Sequence, residues 1–87
     1  MSFEYAWLKI LEVLVRRRRA VSMEELRGDL ARYGFQFAAG RLEENLMRLR
    51  EQGLVEALVL AGGGEESLAS VAVTPNGERK VRNIVRF

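Results

Sequence analysis

Between Ser22 and Thr74 the chain carries a fixed order of signals: a capped helix, a turn, a second helix closed by a glycine, and two apolar strands around a glycine-rich tip. Ser22 with Glu25 three residues later forms a capping box, a reciprocal pair of hydrogen bonds that starts a helix sharply. Met23, Leu26, Leu30 and Tyr33 then recur at helical spacing and predict its buried side, and Gly34 stops it. Gly28 costs about 1 kcal/mol inside that helix relative to alanine, which suits a close helix crossing. Phe35-Gln36-Phe37 is the turn, with a ring plugging the core. The next helix begins near Ala39 or Gly40 without a good cap, buries Leu42, Leu46 and Leu49, and ends at Gly53. Leu54 to Ala61 and Leu68 to Val73 alternate as strands, joined by the tip Gly62-Gly63-Gly64-Glu65-Glu66-Ser67.

The flanks complete the domain. Phe3, Trp7, Ile10 and Leu14 predict a first helix from residue 3 to about 18, and Leu8, Leu11 and Val15 add a second apolar stripe. A helix apolar on two sides is buried on two sides, either within its own small domain or against the last helix and a second copy of the chain. Thr74-Pro75 reads as a cap followed by proline at the first helical position, and Val81, Ile84 and Val85 mark a short closing helix. The whole is one α+β domain spanning residues 1–87: three helices, a two-stranded β-wing and a short C-terminal helix.

Composition removes several function classes. The 87 residues contain no cysteine and no histidine, which eliminates disulfides, thiol nucleophiles, the usual zinc sites and the commonest general base. The pairs Glu24/Glu25, Glu43/Glu44 and Glu65/Glu66 do not make a carboxylate dyad, because helical neighbours diverge and tip residues are exposed. Gly62-Gly63-Gly64 lacks the Lys-Ser or Lys-Thr of a phosphate cradle. No enzymatic activity, metal or cofactor is expected. No apolar run reaches the roughly 20 residues that span a bilayer, and the chain opens on Ser2, Phe3 and Glu4 rather than a basic leader, so a cytoplasmic location is expected. A domain this small buries only about 60 to 65% of its unfolded surface, which favours a partner or a twin.

Charge is unevenly spread. Residues 1–20 hold five basic side chains against two acidic ones, residues 21–60 five against seven, and residues 61–87 four against three. The central helices are therefore the acidic part, and a basic face would come from the two ends of the chain. Arg16, Arg17, Arg18 and Arg19 close the first helix, where cations complement its dipole. They read either as a solvated helix end or as phosphate anchors.

The stretch from Leu26 through Val73, with Leu46 and Leu49, the exit Gly53-Leu54-Val55 and the opening Thr74-Pro75-Asn76-Gly77, resembles winged helix-turn-helix transcriptional regulators of the MarR-like and PadR-like kind. The resemblance implies a homodimer whose second central helix enters the major groove of double-stranded DNA while its wing touches the flanking backbone or minor groove. Carried onto this chain, it makes Gly40, Arg41, Glu44, Asn45 and Arg48 the groove-facing candidates; Arg16 to Arg19, from their charge alone, are the candidate phosphate contacts. Arginine can read guanine, asparagine adenine, and glutamate cytosine. Phe3, Trp7, Leu8, Leu11 and Val15 are the candidate dimer interface. Glu44 and Arg48 stand four apart in the order that favours an ion pair. The chain departs from the pattern at Glu65 and Glu66, where a wing would carry cations, and at Glu43 and Glu44. These acids keep open an alternative, a winged-helix interaction module that meets a basic protein and does not bind DNA.

Overall fold

The computed structural model describes residues 6–38, 40–62 and 65–84. Its elements run α1 (Ala6–Arg17), β1 (Val21–Ser22), α2 (Met23–Arg32), α3 (Arg41–Glu51), β2 (Val55–Gly62), β3 (Glu65–Val73) and α4 (Pro75–Ile84). The strands form one antiparallel sheet in the order β1-β3-β2. Beyond the expected hairpin there is thus a third, two-residue strand, with Val21 opposite Val71 and Ser22 opposite Ser70. A helix N-cap takes β-region dihedrals, and Ser22 sits at φ −73°, ψ 163°. One residue can therefore end β1 and cap α2. Its Oγ accepts the Glu25 backbone N–H at 3.1 Å and donates toward Glu25 Oε1 at 3.5 Å.

α2 and α3 end alike. After α2, the N–H of Phe35 bonds to the Leu30 carbonyl and that of Gly34 to Ala31; after α3, Leu54 bonds to Leu49 and Gly53 to Arg50. This double bond pattern needs a left-handed residue, supplied by Gly34 at φ 83° and Gly53 at φ 74°. α3 starts on Gly40 with no side-chain cap, as expected. At α4, Thr74 Oγ1 accepts the Gly77 N–H at 3.1 Å and donates to the Gly53 carbonyl at 2.6 Å. One hydroxyl thereby ties the start of α4 to the end of α3.

α1 is the centre of the core. Ile10, Leu11, Val13, Leu14 and Val15 are buried with Leu26, Leu30, Leu42, Leu46, Val71 and Val81, and α1 touches α2, α3, α4 and β3. Leu11 at 0% and Val15 at 7% exposure are covered by their own chain. They are removed from the expected dimer surface. Trp7 and Leu8 remain half-buried, and Phe3 lies outside the described residues.

Three further expectations change, at Tyr33, Gly28 and the hairpin tip. Tyr33 is 48% exposed: α2 has already ended at Arg32, and the ring instead lies 4.8 Å beneath the Lys9 ammonium. Phe35 and Phe37 pack against the core. Gly28 faces open space, and a Cβ added there would meet nothing within 4 Å, so no helix crosses at this point. α1 ends at Arg17, because Arg18 turns left-handed at φ 57°. The hairpin ladder continues to Gly62 opposite Glu65, so Glu65 and Glu66 stand on β3 rather than in a six-residue tip. Leu58 pairs with Ser70 and Val59 with Leu68, which leaves Ala69 as a bulge that bends the hairpin.

Candidate nucleic-acid interface

α3 buries Leu42, Leu46 and Leu49. With about 100° between successive residues, Glu44 and Glu51 form the ridge opposite that stripe, Met47 and Arg48 flank the ridge, and Arg41, Asn45 and Gln52 share one side. α2 holds the other side through the Arg27 guanidinium and the Glu43 carboxylate. This pair bridges α2 and α3 at the surface, over the buried Leu26, Leu30, Leu42 and Leu46. It also explains why Glu43 tolerates a position that a DNA reader would leave neutral.

The sequence-predicted residues fall into different circumstances. Arg41 is exposed, and its Nη1 lies 3.6 Å from Glu44 Oε2. Glu44 therefore turns back toward Arg41, and the expected Glu44–Arg48 pair is not formed. The Asn45 amide donates to the Arg41 carbonyl at 2.9 Å, which uses a donor inside its own helix and leaves the side-chain oxygen. Arg48 is exposed and makes no ion pair among the described residues; it lines a shallow cleft with Trp7, Asn45, Gln52 and Lys80. Arg50, not singled out from sequence, is equally exposed and unpaired among the described residues. Lys80 of α4 stacks 5.3 Å over the Trp7 ring, a cation–π contact that no local spacing announces.

The arginine run is divided. Arg16 reaches Glu12 at 3.2 Å. Arg17 forks onto Asp29 of α2, Nε to Oδ2 at 2.6 Å and Nη2 to Oδ1 at 2.7 Å. Arg19 meets Glu25 at 2.7 Å and the Ala20 carbonyl at 3.1 Å. Hydrogen bonds from Arg17 hold the Asp29 carboxyl below the usual carboxylate range against the opposing effect of burial, and Asp29 raises Arg17 in turn. The hydrogen bond from Arg19 likewise lowers Glu25. Burial pushes Glu12 up, yet Lys9 and Arg16 together bring it below its ordinary value. Two of the four arginines thus clamp α1 and its exit to α2. Of these four, Arg18 is the one exposed without an ion pair among the described residues.

Among the described residues there is no group of three acidic side chains able to hold a metal ion, and no helix long and apolar enough to cross a membrane. The architecture is a winged helix: a helix-turn-helix on a three-stranded sheet with a β-hairpin wing. No protein-family model and no curated protein sequence matches the chain. Its fold is similar to a PadR family transcriptional regulator from Eggerthella lenta, with 27% identity and a TM-score of 0.63 over 86% of this chain and 66% of that one. It is also similar to a PadR-like transcription factor from Bacteroides fragilis, at 16% identity and a TM-score of 0.70 over 91% and 75%. The third is Bacillus subtilis PadR in complex with operator DNA, at 13% identity and 0.70 over 99% and 50%. The structural neighbours are thus PadR-family regulators, which favours the PadR-like over the MarR-like resemblance. The chain spans just under two thirds of the first of these proteins and half of the last.

Proposed function

We propose that this chain is a DNA-binding transcriptional regulator, acting in the cytoplasm as a homodimer and performing no catalytic step. The observation that carries the reading is α3 itself: braced on α2 by Arg27 and Glu43, it holds Arg41 and Arg48 outward in a fold that PadR of Bacillus subtilis presents to operator DNA. Arg41 and Arg48 are assigned to bases or phosphates, with Arg50 beside them; Glu44 and Asn45 are assigned to base edges. Trp7, Leu8 and the 53% exposed Ile84 of α4, with Phe3, are assigned to the contact with a second copy. Light scattering then gives twice the 9.9 kDa of one chain.

The test is binding of a labelled duplex at two salt concentrations. If about four phosphates are contacted, affinity falls roughly a hundredfold between 50 and 200 mM salt, through counterion release. One observation favours a second reading: Glu44 and Glu51 occupy the ridge of α3 and Glu56 is exposed on β2, an acidic surface suited to a basic protein. No duplex binding at low salt would overturn the regulator reading and put the interaction module ahead of it.

A further inference from the structure

The winged helix usually grips flanking backbone with its wing, but β2 and β3 of this chain carry Glu56, Glu65 and Glu66 and no cation. At the other end of the molecule, the exit of α1, the C-terminal end of β3 and one side of α4 enclose an open cleft of about 410 Å³ lined by Val15, Arg18, Arg19, Val73, Glu78 and Arg82. Three arginines face one carboxylate there. Glu78 is engaged by Arg82 within α4, Nη2 to Oε1 at 2.8 Å, and Arg19 is engaged by Glu25. Arg18 stands at the mouth with no ion pair among the described residues, in a left-handed conformation at φ 57°. Its N–H closes α1 onto the Leu14 carbonyl at 3.2 Å, a terminator position where glycine is the low-energy choice. Arginine there strains the backbone, and its charge returns only the modest interaction of a cation with the carboxyl end of the helix dipole.

We propose that this cleft is a second phosphate-binding surface, and that it takes over the flanking-backbone contact from the acidic wing. The proposal rests on the DNA-binding reading. α3 lies by the opposite end of α1: Arg41 and Asn45 share a cleft with Ala6, and Arg48 shares one with Trp7. The twelve residues of α1 separate the two surfaces by about 18 Å along its axis. That exceeds the roughly 12 Å width of the major groove, so the phosphates held by Arg18 and Arg82 lie outside the groove that receives α3. The contact is to backbone alone and carries no base information.

Duplex affinity of the full chain is measured against salt for the wild type, Arg18→Gln and Glu78→Gln, on two unrelated sequences, with thermal melts of each variant. Arg18→Gln is expected to weaken both duplexes alike, by about tenfold at 100 mM salt, and to reduce the salt slope by about one. Glu78→Gln is expected to tighten both by removing a carboxylate beside the phosphates. Should Arg18→Gln melt early, Arg18→Gly keeps the left-handed backbone and removes the same charge. An unchanged salt slope without the Arg18 charge, or weaker binding by Glu78→Gln, overturns the proposal while wild-type binding leaves the regulator reading standing. Absence of wild-type binding defeats both together.

Discussion

Gly28 and Gly77 both lie inside helices, yet the same substitution has opposite consequences at the two positions. A Cβ on Gly28 meets nothing within 4 Å, whereas one on Gly77 would stand 2.1 Å from the Leu54 carbonyl oxygen and 2.8 Å from Val73 Cγ2. Gly28→Ala therefore stabilises the protein by about 1 kcal/mol through helix propensity alone. Gly77→Ala pushes α4 off the start of β2 and disturbs the Thr74 hydroxyl bridge, so it costs several times that, at the upper end of single substitutions, about 4 kcal/mol. Urea midpoints of the two variants measure the contrast. Equal effects of either sign would contradict the packing around Gly77. Sequence identified Thr74-Pro75-Asn76-Gly77 as a helix opening because its signals are local, cap hydroxyl and fixed proline φ. It assigned Gly28 a close crossing that does not exist, since whether a glycine is open or crowded depends on elements distant along the chain.

At the scale of elements, the joint between α1 and α2 is electrostatic. Asp29, only 8% exposed, holds the fork of Arg17, and Glu25 holds Arg19. Both carboxyls titrate below their ordinary values, Asp29 through its hydrogen bonds from Arg17 and Glu25 through that from Arg19. A carboxyl whose folded pKa lies below its unfolded one contributes stability that is complete above the unfolded value, near 4, and disappears as pH falls through the folded value. The melting temperature is accordingly flat from about pH 7 to 5 and drops below about pH 4. Asp29→Asn is less stable at pH 7, because the Arg17 guanidinium loses its counter-charge, and shows a shallower acid decline. An acid profile identical to the wild type would mean that the Arg17–Asp29 pair does not brace α1 on α2. Four adjacent arginines look equivalent in sequence; Arg17 and Arg19 are set apart by carboxylates that arrive from α2, up to twelve residues away. The amphipathic stripes and glycine stops of α2 and α3 were legible because they depend on period and on φ. The ion pairs were not, because they depend on which helix packs against which.

For the whole molecule, the balance of charge decides how DNA is held. The wing strands carry acids, and α3 carries Glu44 and Glu51 on its ridge with Arg41 and Arg48 beside them. Each carboxylate near phosphate adds repulsion that salt screens, and each arginine adds attraction that salt also screens. Replacing Arg41 and Arg48 together by glutamine should remove most binding, since contacts of this kind contribute about 1 to 3 kcal/mol each. Base contacts make that loss uneven across sequences, in contrast to the uniform loss expected at Arg18. Glu65→Gln with Glu66→Gln should strengthen binding or leave it unchanged, because the wing then repels less. Anisotropy titrations of these two double variants on a bound duplex and on a scrambled one separate the contributions. If the wing change weakens binding instead, the carboxylates accept hydrogen bonds from bases, as glutamate can from cytosine, and the wing is a reading element rather than a repelled one.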